Sequence, residues 1–180
     1  MNGGTLMLEL LELKDLIRDI PDFPSPGIIF RDITTVLKDP KGLRVAVDAI
    51  AENLQGIEYD IVLGPESRGF IFGVPLAYKM GKGFVPARKI GKLPAPTARK
   101  AYALEYGEAE IEIHKDAIVP GQKVVIIDDL LATGGTAKAV ADLATELGAE
   151  VVGLSFLIEL EALNGRALLD GYNVKSLLVY

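Results

Sequence analysis

A chain of 180 residues, 49% hydrophobic and 24% charged, is long enough to build one compact domain and too apolar for intrinsic disorder. Its longest uncharged stretch, Gly69 to Tyr78, falls well short of the roughly 18 apolar residues that a bilayer span requires, and no signal segment or anchor is readable. A formal net charge of −6 argues against a surface made to wrap nucleic acid, and the lack of cysteine excludes disulfides, thiolate metal sites and thiol nucleophiles, so the cytoplasm is the expected compartment.

In chain order, LMLELLELKDLIRDI from Leu6 to Ile20 has apolar residues at helical spacing and predicts one amphipathic helix, stopped by Pro21, Pro24 and Pro26. FPSPGIIFRDITTVLKDP, residues 23–40, is crowded with proline and glycine and predicts an ordered loop with a brief strand, a flap ahead of the main pattern. A regular alternation follows: a helix from Pro40 to about Leu54, a strand at 59–64, a helix after Gly69 and a strand at 83–89. After a polar stretch and the alternating EIEIH at 110–114, QKVVIIDD reads as a buried parallel strand, TAKAVADLATELGA as a helix, and residues 151–160 and VKSLLVY as the last strands. The whole, residues 1–180, predicts a single α/β domain with a central parallel sheet flanked by helices, a small N-terminal hood over about 1–40, and a loop over about 90–108.

The strongest chemical signal is VVIIDDLLATGGTA, residues 124–137, which joins a buried strand, two adjacent carboxylates, a Thr-Gly-Gly-Thr turn and a helix start. Ligands of open parallel sheets bind beyond the carboxyl ends of the strands, where Asp128 and Asp129 are expected to emerge, and paired carboxylates there suit a polyol or a metal. Gly134 and Gly135 free the backbone to turn successive N–H groups toward a phosphate, Thr133 and Thr136 add hydroxyls, and the next helix points its positive end at the same place. The turn alone reads equally well as a helix cap; the aspartates beside it favour a phosphate site. Neither GxxxxGK[ST] nor GxGxxG occurs. A second candidate anion loop, Pro65-Glu66-Ser67-Arg68-Gly69, follows the 59–64 strand, and Arg88, Lys89 and Lys92 add positive charge that would otherwise be a solvated strand end.

VVIIDDLLATGGTA resembles the phosphoribosyl-pyrophosphate signature of the type I phosphoribosyltransferases, and FPSPGIIFRDITTVLKDP, GPESRGFIFG, ARKIGKLP and YALEYG resemble, in order, segments of the branch of that family that acts on adenine. The resemblance runs from about residue 8 to 180. It implies the type I phosphoribosyltransferase fold and a purine-salvage reaction in which adenine displaces pyrophosphate from phosphoribosyl pyrophosphate to give AMP, with Mg2+ carried mainly by substrate oxygens and water. It implies that Asp128 and Asp129 hold the ribose hydroxyls, that Ala132, Thr133, Gly134, Gly135 and Thr136 cradle the 5′-phosphate, and that Glu66, Ser67, Arg68, Arg88 and Lys92 serve the pyrophosphate.

By the same resemblance the 90–108 stretch is a lid that closes over the reactants and excludes water, with Glu105 as acid/base toward the purine and Tyr106 seating the lid. Adenine would lie against Phe30, be read by the backbone around Ile29 and Arg31, and be covered by Leu160; as bare sequence, the apolar triplet Ile28-Ile29-Phe30 reads as core. His114 reads as an exposed strand residue without a metal role, and Arg99 and Lys100 receive no assignment. The family implies a homodimer, with no membrane partner. A regulator that senses phosphoribosyl pyrophosphate, or a transferase for another purine, would share the phosphoribosyl motifs; the acidic N-terminal segment speaks against a nucleic-acid-binding appendage, and the flap and LEYG favour adenine.

Overall fold

In the computed structural model, which describes residues 3–104 and 107–180, the chain forms two units, Met1–Ala49 and Ile50–Tyr180. The first opens with helix α1, Gly3–Leu16, which ends earlier than expected. Arg18–Pro21 forms strand β1 instead and pairs antiparallel with β2, Ile29–Asp32, from Arg18 opposite Asp32 to Pro21 opposite Ile29. Helical spacing can be read through these residues, but the ion pairs Arg18–Asp32 and Asp19–Arg31 fix them in a hairpin, a case of tertiary pairing outweighing local pattern. In the turn, the Asp22 carboxylate accepts the Gly27 N–H at 2.7 Å, and Phe23 meets Phe30 edge to face with centroids 5.2 Å apart.

Two helices close this unit: α2, Thr34–Lys38, which the sequence did not reveal, and α3, Pro40–Asn53, which runs on across its boundary. The start of α3 is dictated locally, since the Asp39 carboxylate accepts the Gly42 N–H at 2.6 Å and Pro40 fills the first helical position, where no N–H is needed.

The second unit is built on a seven-stranded sheet. Its strands are β3 (Ile61–Pro65), β4 (Gly83–Lys89), β5 (Thr97–Leu104), β6 (Gly107–His114), β7 (Lys123–Leu131), β8 (Glu150–Glu159) and β9 (Val174–Val179), in spatial order β5-β6-β4-β3-β7-β8-β9. From β4 to β9 all neighbours are parallel, as the continuous apolar runs of β7 and β8 require of strands covered on both faces. Helix α4, Arg68–Met80, links β3 to β4, and α5, Gly135–Glu146, links β7 to β8, so the connections leave β3 and β7 in opposite directions. That reversal makes the crevice between β3 and β7 the natural ligand site of the sheet. Leu63, Val124, Ile126, Val140, Leu143, Leu154 and Phe156 form the buried core around it.

The stretch 90–108, expected as a loop, is ordered as a hairpin for much of its length. Strand β5 pairs antiparallel with β6 from Thr97 opposite His114 to Leu104 opposite Gly107. The small size of its apolar residues and the adjacent Arg99 and Lys100 hid this strand: three of its eight residues are alanine, and Lys100 forms an ion pair with Glu146 of α5. Two short 3-10 helices, Glu161–Leu163 and Gly165–Leu169, occupy the connection between β8 and β9. Among the described residues no helix is long and apolar enough to cross a membrane.

Candidate active site

A cavity of about 790 Å3 opens at the carboxyl ends of β3 and β7, within the volume range of small-molecule sites. On one side β3 ends at buried Pro65, and the chain passes through a cis Glu66–Ser67 peptide into α4. On the other, β7 carries Asp128 and Asp129 and leads into residues 132–136 and the start of α5. The aspartates lie inside the strand rather than beyond it, because the ladder with β8 continues past Asp128, opposite Phe156, to Leu131 opposite Glu159.

The loop 132–136 turns at Gly134, whose φ of +83° belongs to glycine, and the Gly134 carbonyl accepts the Lys138 N–H at 2.9 Å, so α5 starts directly from the turn. Ala132, Thr133, Gly134, Gly135 and Thr136 all line the cavity, opposite Glu66, Ser67 and Arg68. Both loops therefore deliver the N-terminus of a helix to one space, and a helix start favours negative charge.

The carboxylates are electrostatically unequal. Burial, with the neighbouring Asp129 charge, pushes the Asp128 carboxyl well above the usual carboxylate range. Asp129, 2% exposed, is likewise raised by burial, but the Arg68 guanidinium, with Nε 3.1 Å from Oδ2, works against the rise. The Asp129 N–H donates to Asp128 Oδ1 at 2.9 Å, which fixes the first carboxylate against the backbone.

Arg88 and Lys92 are outside the residues that line the cavity; their part is structural in this geometry. Arg88 Nε donates to Glu66 Oε2 at 3.0 Å and Nη1 to the Lys92 carbonyl at 3.2 Å, while the Lys89 N–H reaches Glu66 Oε2 at 3.2 Å. Burial opposes ionisation of Glu66, yet the hydrogen bonds from Arg88 and Lys89 hold its pKa below the ordinary value. The segment after β4 is secured from beneath by Glu112 of β6, 1% exposed, which accepts the N–H groups of Lys92 and Leu93 at 3.0 and 3.1 Å and the Thr97 hydroxyl at 3.0 Å. Arg99 adds an ion pair at 3.4 Å, and His114, half-buried, accepts the Ala95 N–H at 3.3 Å through Nε2. Arg99, Lys100 and His114 thus all have structural partners.

Of the expected adenine contacts, Ile29, Phe30 and Arg31 belong to the hairpin of the first unit, where Ile29 is half exposed and so is not core. Leu160 follows β8 in the second unit, its N–H bonded to the Leu131 carbonyl at 2.9 Å, and is not among the cavity-lining residues. Glu105 and Tyr106 lie outside the described residues. Lys89, named in the sequence for its charge, lines the cavity, whereas sequence reasoning missed Ile90, Tyr102, Ala109 and Glu110 as cavity wall; the last three arrive through the unrecognised β5–β6 pairing, in which Tyr102 stands opposite Ala109.

A family model for the phosphoribosyl transferase domain matches residues 32–177. The chain is 57% identical over 169 residues to an adenine phosphoribosyltransferase of Lachnoclostridium phytofermentans, covering 94% of this chain and 97% of the relative, and 58% identical over 172 residues to that of Synechocystis sp., covering 94% and 100%. The chain belongs to the adenine phosphoribosyltransferase family. The solved structure of the adenine phosphoribosyltransferase of Thermoanaerobacter pseudethanolicus superposes with a TM-score of 0.93 at 54% identity, over 95% of this chain and 99% of that one. That of Saccharomyces cerevisiae, solved with an imino-altritol bisphosphate and adenine, gives 0.90 at 39% identity, over 95% and 99%. Membership of the adenine phosphoribosyltransferases accounts for the mixed sheet and for the two loops, at residues 66–68 and 132–136, that meet at its reversal point.

Proposed function

We propose that this chain transfers the phosphoribosyl group of phosphoribosyl pyrophosphate to adenine, releasing AMP and pyrophosphate. The observation that carries the reading is the meeting, in one cavity, of the paired carboxylates Asp128 and Asp129, the glycine-rich loop 132–136 and the loop bearing Ser67 and Arg68. A pentose phosphate has a diol and one anion; its pyrophosphate substituent supplies a second anion. The site has two acceptors for the diol and an anion loop at each end.

In the proposed mechanism residues 132–136 receive the 5′-phosphate through backbone N–H groups and threonine hydroxyls, and Asp128 and Asp129 accept hydrogen bonds from the ribose hydroxyls. The Asp129 carboxylate, whose ionised form Arg68 favours, also favours the positive character that develops on the sugar ring as the bond to pyrophosphate breaks. Ser67 and Arg68 hold the leaving pyrophosphate, with Glu66 and Arg88 fixing the shape of that loop and Lys92 extending its positive field. The oxygen donors at this cavity are the hard ligands that Mg2+ takes, and the ion, carried by the donor's own oxygens and water, would neutralise charge on the pyrophosphate.

For the base we propose Ile29, Phe30, Arg31 and Leu160 as the adenine contacts, Glu105 as the acid/base toward the purine and Tyr106 as a lid residue, all on family resemblance. Resemblance likewise supports a homodimer and a cytoplasmic location. The test is a chromatographic assay of the purified chain with Mg2+ and phosphoribosyl pyrophosphate, offering adenine, hypoxanthine, guanine and xanthine separately. AMP from adenine alone supports the proposal; product from another base overturns the adenine assignment, and no nucleotide from any base overturns the reaction.

A further inference from the structure

We propose that Gly165, held in place by the Arg166–Glu159 ion pair, is a positioning residue that forms the floor beneath the phosphate loop and sets the spacing of its N–H groups. The inference rests on the reading of residues 132–136 as the 5′-phosphate cradle and adds to it a support from a distant part of the chain.

Two main chains cross here with no side chain between them. Gly134 turns at a φ of +83°, and the space a side chain would take at that position is filled by the Gly165 carbonyl. The exclusion is reciprocal, because a β-carbon on Gly165 would fall on the carbonyl oxygen of Ala132 and stand 3.0 Å from both the Gly134 nitrogen and Leu131 Cδ1. Gly165 is buried, so no solvent layer absorbs a displacement. The loop is therefore backed by peptide groups, and a shift at Gly165 passes directly to the amides of residues 132–134.

The floor is itself fixed. Asn164 turns the chain at a φ of +50°, the 3-10 helix starting at Gly165 buries Leu169 in the core, and Arg166 grips the end of β8. Arg166 Nε donates to Glu159 Oε1 at 2.6 Å and Nη2 to Oε2 at 2.7 Å, a forked pair on a carboxylate whose residue is 6% exposed. Two further donors are used, Nη1 toward the Val174 carbonyl at 2.9 Å and Nη2 toward Ser176 Oγ at 3.4 Å, so one guanidinium ties the connection to both β8 and β9. The hydrogen bonds from Arg166 keep the Glu159 carboxyl below its ordinary pKa, so the pair stays charged at neutral pH. Lysine cannot reproduce this fork.

The consequence is specific to one end of the ligand. Hydrogen bonds to a phosphate tolerate only small errors in donor position, and misplacement near 1 Å can cost on the order of 100-fold. Disturbing the floor therefore weakens the 5′-phosphate contact and leaves the loop at Ser67 and Arg68, on the other side of the cavity, in place.

Calorimetric titration of the full chain with ribose 5-phosphate and, separately, with pyrophosphate tests this. For Gly165→Ala the dissociation constant for ribose 5-phosphate should rise about tenfold or more while that for pyrophosphate stays within about twofold, with the circular dichroism spectrum retained. Arg166→Met should show the same one-sided loss, and Arg166→Lys a smaller one. A folded Gly165→Ala with unchanged ribose 5-phosphate affinity overturns the proposal, and so does an equal loss for both ligands, which a general loosening of the fold would give. If Gly165→Ala does not fold, the two Arg166 variants decide by the same comparison. Failure of the unmodified chain to bind ribose 5-phosphate would overturn the cradle reading itself, a result distinct from a null effect of the substitutions.

Discussion

Arg68 Nε stands 3.1 Å from Asp129 Oδ2, so the guanidinium at the start of α4 is tied across the cavity to a carboxylate on β7. One residue proposed for pyrophosphate and one proposed for ribose are thus linked before either ligand arrives. Replacing Arg68 by Met removes a charged partner of the pyrophosphate, and KM for phosphoribosyl pyrophosphate is expected to rise about 10- to 100-fold. It also removes the charge that opposes the upward shift of Asp129, so the acid limb of kcat/KM should move to higher pH. Arg68→Lys should leave that limb near its wild-type position while still raising KM, since an ammonium keeps the charge but lacks the fork. A pH–rate series on the three proteins checks both parts; an unmoved acid limb in Arg68→Met refutes the coupling.

Asp128 is held in a place that suits a ligand better than it suits folding. Its pKa is raised by burial, so the folded state retains a proton that the unfolded state releases, and ionising the group at neutral pH costs stability. Asp128→Asn should therefore raise Tm near pH 7, by about 2–4 °C for each kcal/mol recovered, while lowering kcat/KM. The difference in Tm should shrink as the pH falls through the ordinary carboxylate range, where both states are protonated. Scanning calorimetry at several pH values measures it, and a lower Tm in Asp128→Asn at pH 7 counts against the assignment.

Glu112 presents the opposite case. Burial opposes its charge, but the N–H of Leu93, the Thr97 hydroxyl and the N–H of Lys92 hold its pKa below the ordinary value. Its contribution is present above the unfolded-state pKa and is lost as the pH falls through the lower folded value. Glu112→Ala leaves buried donors without an acceptor and should destabilise the fold by about 3 kcal/mol or more, read from the urea midpoint. Glu112→Gln should lose less.

In the first unit, the Thr34 N–H, the Arg18 side chain and the Thr34 hydroxyl lower the Asp32 pKa from 3.8 to about 2. The stabilisation is complete above the unfolded value and fades as the pH drops toward 2. An NMR titration of the Asp32 carboxyl carbon should show a midpoint near 2, and Arg18→Met should move it upward. A midpoint at the ordinary aspartate value would remove this carboxylate from the forces holding the β1–β2 hairpin.

Much of the second unit was legible because its signals are local. The apolar run of β7 announces a strand covered on both faces, and the same stretch continues into Asp128, Asp129 and the glycine turn, so strand, site and helix start are read from one sequence of residues. What escaped depends on distant pairing. Strand β5 lacks a β-branched apolar run, its apolar residues being mostly alanine, and exists because β6 lies beside it, and β1 exists because Arg18 and Asp19 find Asp32 and Arg31. Arg88 and Lys92 look like a free basic patch until Glu66 is seen to take the first and Glu112 to hold the backbone of the second. Gly165 carried a faint mark, an Asn-Gly turn, but nothing local says that the turn backs a loop some thirty residues earlier.

The convergence of the α4 and α5 N-termini on one cavity has a consequence for ionic strength. On the proposed reading, an anion approaching a chain of net charge −6 meets here main-chain dipoles whose reach is a turn or so, beside Arg68 and Lys89 of the cavity wall. Mobile ions screen charges that act across a Debye length, about 8 Å in physiological salt, and have little purchase on donors in direct contact with a bound phosphate. On that reading, added salt should weaken the phosphate contacts less than it would a long-range surface attraction.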